Sequence, residues 1–75
     1  MSKNNGVHTV PNPNGNGWVN EAGGRIISNH HTQETAIQSG RREAIRQETE
    51  HFIHNTEGRI RERNSYGNDP YPPKG

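Results

Sequence analysis

Apolar and polar positions alternate with period two at both ends of this chain and with helical period in the middle. Val7-His8-Thr9-Val10 is a short β-prone run closed by Pro11. Asn12-Pro13-Asn14-Gly15-Asn16-Gly17 follows, dense in turn formers, with two Asn-Gly pairs suited to the positive φ angles of a hairpin. Trp18-Val19-Asn20 resumes an extended pattern, Glu21-Ala22-Gly23-Gly24 turns again, and Arg25-Ile26-Ile27-Ser28 reads as a third strand. Three short strands separated by Gly-rich turns predict an antiparallel meander.

The period then changes. Thr32 is placed to cap a helix, and Glu34 in its first turn complements the helix dipole. Ala36, Ile37, Gly40 and Ala44 share one helical face with Ile45 at its margin, while Arg42, Glu43, Arg46 and Gln47 lie away from it. The helix is expected at about Thr32–Glu48. Gly40 weakens it by about 1 kcal/mol relative to Ala, which marks a close approach to the sheet. Glu50-His51-Phe52-Ile53-His54 is again β-prone, Asn55-Thr56-Glu57-Gly58 turns, and Arg59-Ile60-Arg61-Glu62-Arg63 alternates with period two.

The whole predicts an α+β domain: a small curved antiparallel sheet in the order β-β-β-α-β-β with one helix packed on a face. Its expected core is Val10, Trp18, Ile27, Ala36, Ile37, Ala44, Ile45, Phe52 or Ile53, and Ile60. Residues 1–5 (Met1-Ser2-Lys3-Asn4-Asn5) read as a disordered leader, 6–64 as the domain, and 65–75 as a Tyr/Pro-rich tail. Within that tail, Pro70-Tyr71-Pro72-Pro73 favours an extended, polyproline-like conformation that docks at low entropic cost.

Composition makes this fold a marginal one. Seventy-five residues contain no leucine, six isoleucines, three valines, one phenylalanine and one tryptophan, an apolar content in the range where chains struggle to fold. With a net charge of only +1 the chain does not repel itself, so a thin core completed by self-association is the structural expectation. There is no cysteine to supply disulfides or thiolate metal ligands. No apolar stretch has the length of a membrane span or signal-peptide core, and a cytoplasmic location is expected.

Candidate chemistry is sparse. His8, His30, His31, His51 and His54 lack the spacing and the neighbouring ligands of a metal site: adjacent His30 and His31 point to opposite faces of a strand. Ser28 is near two histidines in sequence, but strand neighbours do not form a nucleophile–base–orienter relay. The Gly-rich turns are not followed by the Lys-Ser/Thr helix start of a phosphate-binding loop. No enzyme, cofactor, metal or small-molecule substrate is expected.

The arginines offer more. On a regular strand Arg59, Arg61 and Arg63 share one face and Ile60 and Glu62 the other. Same-face neighbours are then roughly 6.6–6.8 Å apart, close to the spacing of phosphates along a nucleic-acid strand. The plainer account is a solvated face whose arginines pair with interleaved glutamates and discourage edge-to-edge aggregation.

The residues also carry a family resemblance. His8-Thr9-Val10-Pro11 precedes a Gly-rich turn into Trp18, and His31-Thr32-Gln33 precedes Ala36-Ile37. Gly40-Arg41-Arg42-Glu43-Ala44-Ile45, Phe52-Ile53-His54 and Gly58-Arg59-Ile60-Arg61 follow, then Ser65-Tyr66-Gly67-Asn68-Asp69-Pro70 with Pro72-Pro73. In this order and spacing the chain resembles a small uncharacterised bacterial family, domain of unknown function 2188, with the C-terminal block the most specific part. The resemblance implies a small β/α protein and supplies no activity or site residue.

The sequence therefore points to a non-catalytic protein-interaction or assembly module, expected as a homodimer, contacting its partner through Arg59, Arg61, Arg63, Tyr66 and Tyr71, with Trp18 as a further contact. The alternatives are a nucleic-acid-associated accessory protein using the arginine face, and a small inhibitor of a bacterial or phage machine.

Overall fold

The computed structural model describes residues 6–66, so the expected leader, residues 67–75 of the tail and with them Tyr71 lie outside the described residues. Five strands and one helix follow in the expected order: β1 (Val7–Pro11), β2 (Trp18–Ala22), β3 (Arg25–His30), α1 (Gln33–Gln47), β4 (Glu50–His54) and β5 (Ile60–Ser65). They form one sheet in the spatial order β3-β2-β1-β4-β5, with α1 packed across one side.

The α+β architecture is as expected, but the sheet is mixed rather than wholly antiparallel. β1–β2, β2–β3 and β4–β5 pair antiparallel, whereas β1 and β4 pair parallel with Val7 beside His51 and Thr9 beside Ile53. The cause is the helical connection. A strand, a helix and a strand bring the chain back in its original direction, so β4 runs with β3 and therefore with β1.

Helix α1 is held at both ends. Thr32 is in extended conformation and its hydroxyl accepts from the Thr35 backbone N–H at 3.2 Å. At the other end Glu48 adopts the left-handed conformation (φ 56°), and the Glu48 and Thr49 N–H groups bond back to Ile45 and Ala44 carbonyls. Ala36, Gly40 and Ala44 form the buried stripe.

The core differs from expectation in both membership and chemistry. Its buried apolar residues are Val7, Val19, Ala36, Ala44 and Ile53, joined by buried Thr9, Asn20, Thr49 and His51. Ile53 rather than Phe52 faces the helix. Val10, Trp18 and Ile37 are half-buried. Ile27, Ile45 and Ile60, expected inside, are 41%, 49% and 56% exposed.

Two geometric facts explain this. Strand parity turns Val7 and Thr9 of β1 toward the helix and leaves Val10 on the other side. Pairing with His54 sets Ile60 on the side of the sheet away from α1, so the helix does not cover it.

Candidate functional site

The two sides of the sheet carry different chemistry. On the helix side, the closest approach is at Gly40. A Cβ placed there would come within 2.6 Å of Asn20 Oδ1, 2.7 Å of His51 Nε2 and 2.9 Å of Thr9 Oγ1. Glycine therefore sets α1 directly on three polar side chains from three adjacent strands.

Those side chains form a continuous row. Thr9 Oγ1 donates to Asn20 Oδ1 at 2.5 Å and lies 2.7 Å from His51 Nε2. Because the hydroxyl has one proton and gives it to Asn20, His51 is the donor in the second bond and carries its hydrogen on Nε2. Asn20 Nδ2 donates to the Ala36 carbonyl at 2.9 Å and to Ser28 Oγ at 3.2 Å, and Ser28 Oγ lies 3.0 Å from His30 Nε2. The row joins β4, β1, β2 and β3 side by side and pins the helix backbone to the sheet.

His51 is 1% exposed. Burial holds its imidazole below the ordinary value of 6.5; the Glu62 carboxylate opposes this, and the charges of Arg41 and His8 reinforce it. The neutral, Nε2-protonated imidazole matches the hydrogen bonding.

A threonine, a histidine and an asparagine in contact invite comparison with a nucleophile relay. The order of the bonds is wrong for one. Activation of a hydroxyl needs the base between nucleophile and orienting group, whereas here the hydroxyl lies between histidine and asparagine and gives its proton to the amide. Thr9 is also fully buried under the helix.

The opposite side of the sheet has no helix. Cross-strand register arranges its side chains in two rows. Ile26, Glu21, His8, Phe52 and Arg63 make the first, from β3 to β5; Asn29, Val19, Val10, His54 and Ile60 make the second. His8 stacks on Phe52 with ring centroids 4.6 Å apart. His54 Nδ1 donates to the Gly58 carbonyl at 3.1 Å, so its Nε2 accepts from His8 Nδ1, also at 3.1 Å. Ile26 is 38% exposed at one edge and Ile60 56% at the other.

The expected partner-binding residues do not converge. Arg59 precedes β5 and sits in the turn that Asn55 closes, with its N–H donating to Asn55 Oδ1 at 3.0 Å. Arg61 occupies a register shift opposite the Ile53–His54 step, and its guanidinium reaches Gln33 Oε1 at 3.4 Å, at the start of α1. Arg63 pairs with Phe52 on the open side. The bulge breaks the alternation, so the three arginines do not form the single row that a regular strand predicts.

Tyr66 is half-buried, its N–H bonded to the Thr49 carbonyl at 3.1 Å. It borders a shallow groove between α1 and β5 with Arg41, His51, Glu62 and Asn64. Trp18 pairs with Pro11 and His30 at the far end of the sheet, half-buried. Among the described residues no three His, Asp or Glu side chains converge as a metal-binding set, and no helix is long and apolar enough to cross a membrane.

Sequence reasoning missed the Thr9–Asn20–His51 row and the open apolar face. Asn is depleted in strands, so Asn20 within one was a sign of a specific bonding role.

A family model described as an uncharacterised protein conserved in bacteria (DUF2188) matches residues 7–66. No curated protein and no solved structure shows a significant match.

Proposed function

The chain belongs to the DUF2188 family, which has no assigned activity, and from its structure we propose that it is a non-catalytic interaction module working through the open face of its sheet. One observation carries this reading. On the open face Ile26 and Ile60 are 38% and 56% exposed and Val10 and Phe52 only half-buried, while threonine, asparagine and histidine occupy the interior. In so apolar-poor a chain, large side chains left in water raise the free energy of the isolated molecule, by about 25 cal/mol for each Å² that a partner would cover. Exposed apolar area on one face of a sheet of this kind marks an interaction surface.

Two further features support it. Among the described residues, the cluster that resembles a relay is bonded in the wrong order and sealed under α1. Arg59, Arg61 and Arg63, divided between a turn, the helix start and the open face, do not form the single row that would track a phosphate backbone.

Carbene footprinting tests the reading. Ile26, Phe52 and Ile60 are expected to label strongly in the dilute purified chain and several-fold less at high concentration of the same chain or in native bacterial lysate, with Arg42 and Arg46 on the outer helix face unchanged. Equal labelling of the open face in all three conditions would overturn it.

A further inference from the structure

We propose that the open face packs against the same face of a second copy of this chain, about a two-fold axis parallel to the strands along β1. This rests on the open face being the working surface, and adds the identity of its occupant.

The argument is one of self-complementarity. A two-fold axis along the central strand β1 exchanges β2 with β4 and β3 with β5 between the facing sheets. Arg63 then lies over Ile26 of the second copy, and Phe52 over Glu21 of the second copy. Arg63 is thereby one strand spacing from that Glu21. With sheets ~10 Å apart and strands ~4.8 Å apart, the two Cα atoms are separated by about 11 Å, which extended Arg and Glu side chains bridge. The symmetry makes two such ion pairs.

In the second row Val10 meets its own copy, and Ile60 lies over the β3 edge. An axis across the strands instead stacks β5 on β5, sets Arg63 over Ile60 and Glu21 over Val19, and leaves Arg63 three strand spacings from Glu21 of the second copy, out of reach of an ion pair. Charge complementarity therefore selects the axis along β1.

Three other features agree. The polar atoms near the centre are tied within the chain, His8 to His54 and His54 to the Gly58 carbonyl, so covering them preserves those bonds. Five strands at ~4.8 Å spacing and about 17 Å of strand give a projected face on the order of 400 Å², which side-chain relief brings toward the area per partner of a small specific interface. The alternative of joining copies edge to edge meets a bulge on each edge strand, in β3 opposite the Asn20–Glu21 step and in β5 opposite Ile53–His54. Bulges are a recognised means of blunting such pairing.

The test is a charge swap on the full chain, read by light scattering over a concentration series, with circular dichroism confirming that each variant is folded. The wild-type mass is expected to rise to twice the 8.4 kDa of the chain. Arg63→Glu and Glu21→Arg are each expected to raise the dissociation constant at least tenfold, and the double variant to restore it to within about threefold of wild type. A wild-type chain that stays monomeric at several hundred micromolar overturns the proposal, as does a double variant no tighter than the single ones. Ile60→Asp separates the two levels of the argument. If it abolishes association while the swap fails to restore it, the face is the interface and this packing is wrong. If association is unaffected by Ile60→Asp, the open-face reading fails as well.

Discussion

The side of the sheet under α1 and the side facing away from it invert the usual distribution of residues. Under the helix, Thr9, Asn20 and His51 are buried and hydrogen-bonded to one another or to the helix backbone. On the far side, Ile26 and Ile60 stand in solvent beside a stacked His8–Phe52 pair. A chain without leucine has too few large apolar groups to fill a core, and this one specifies its interior by directed bonds beneath a glycine. Such an interior has little tolerance, since every member has a geometric partner and removing one leaves others orphaned in a low-dielectric site. The open side has the opposite property: apart from the fully buried Val19, its apolar groups are partly in solvent and available to a partner.

The largest expected effects come from disturbing the helix side. Gly40→Ala is the sharpest case, because helix propensity alone predicts a gain of about 1 kcal/mol. The added methyl instead meets three atoms at 2.6–2.9 Å. Overpacking of this kind costs typically 1–3 kcal/mol, with the Thr9 and Asn20 bonds strained as well. A net loss of stability in urea unfolding is expected; a net gain would show that the helix does not rest on this row. Thr9→Val keeps the shape and removes the hydroxyl, orphaning the His51 Nε2–H and the Asn20 Oδ1. At roughly 1–3 kcal/mol for each unsatisfied group, this variant is expected to be at least as damaging as Gly40→Ala.

A smaller effect on the same side is set by pH. Burial lowers the His51 pKa from 6.5, so between the folded value and 6.5 the unfolded chain binds more protons than the native one. Stability contributed by the neutral imidazole is therefore fully present above 6.5 and is lost as pH falls through the folded pKa. Urea midpoints should decrease on acidification below pH 6.5, and His51→Gln should flatten this dependence whatever it does to stability at neutral pH. An unchanged slope in that variant would assign the acid sensitivity to another group.

Much of the architecture was legible because the chain is punctuated. Pro11, the Asn-Gly and Gly-Gly turns, the Thr32 cap and Gly58 set the strand and helix limits to within a residue or two, and Gly40 announced its close approach. The parallel β1–β4 pair was implied by the helical connection, yet three meander-like strands disguised it. Apolar character is a poor guide to burial in this chain: Ile27, Ile45 and Ile60 are exposed while Thr9, Asn20 and His51 are buried, and the missing side chain at Gly40 is what admits these polar groups beneath the helix. Strand parity would have separated Phe52 from Ile53 once His51 was known to be internal. The bulge at Arg61 was not legible, since nothing in alternating Arg, Ile and Glu marks an extra residue. With it went the predicted arginine row.

The smallest stability change is expected on the open side, and it completes the contrast. Ile60→Ser removes a large apolar side chain that is 56% exposed and lies on the side of the sheet away from α1. Surface substitutions away from packed features usually fall within about 0.5 kcal/mol of neutral, so at concentrations where the chain is monomeric its unfolding midpoint should hardly move. The same variant should weaken association measured at high concentration, because Ile60 then loses the β3 edge of the second copy. A large loss of monomer stability would mean that Ile60 belongs to the fold after all, and that the two sides of the sheet are less different than their exposures imply. Little change in the monomer with a clear loss of association would separate the residues that make the fold from those that make the contact.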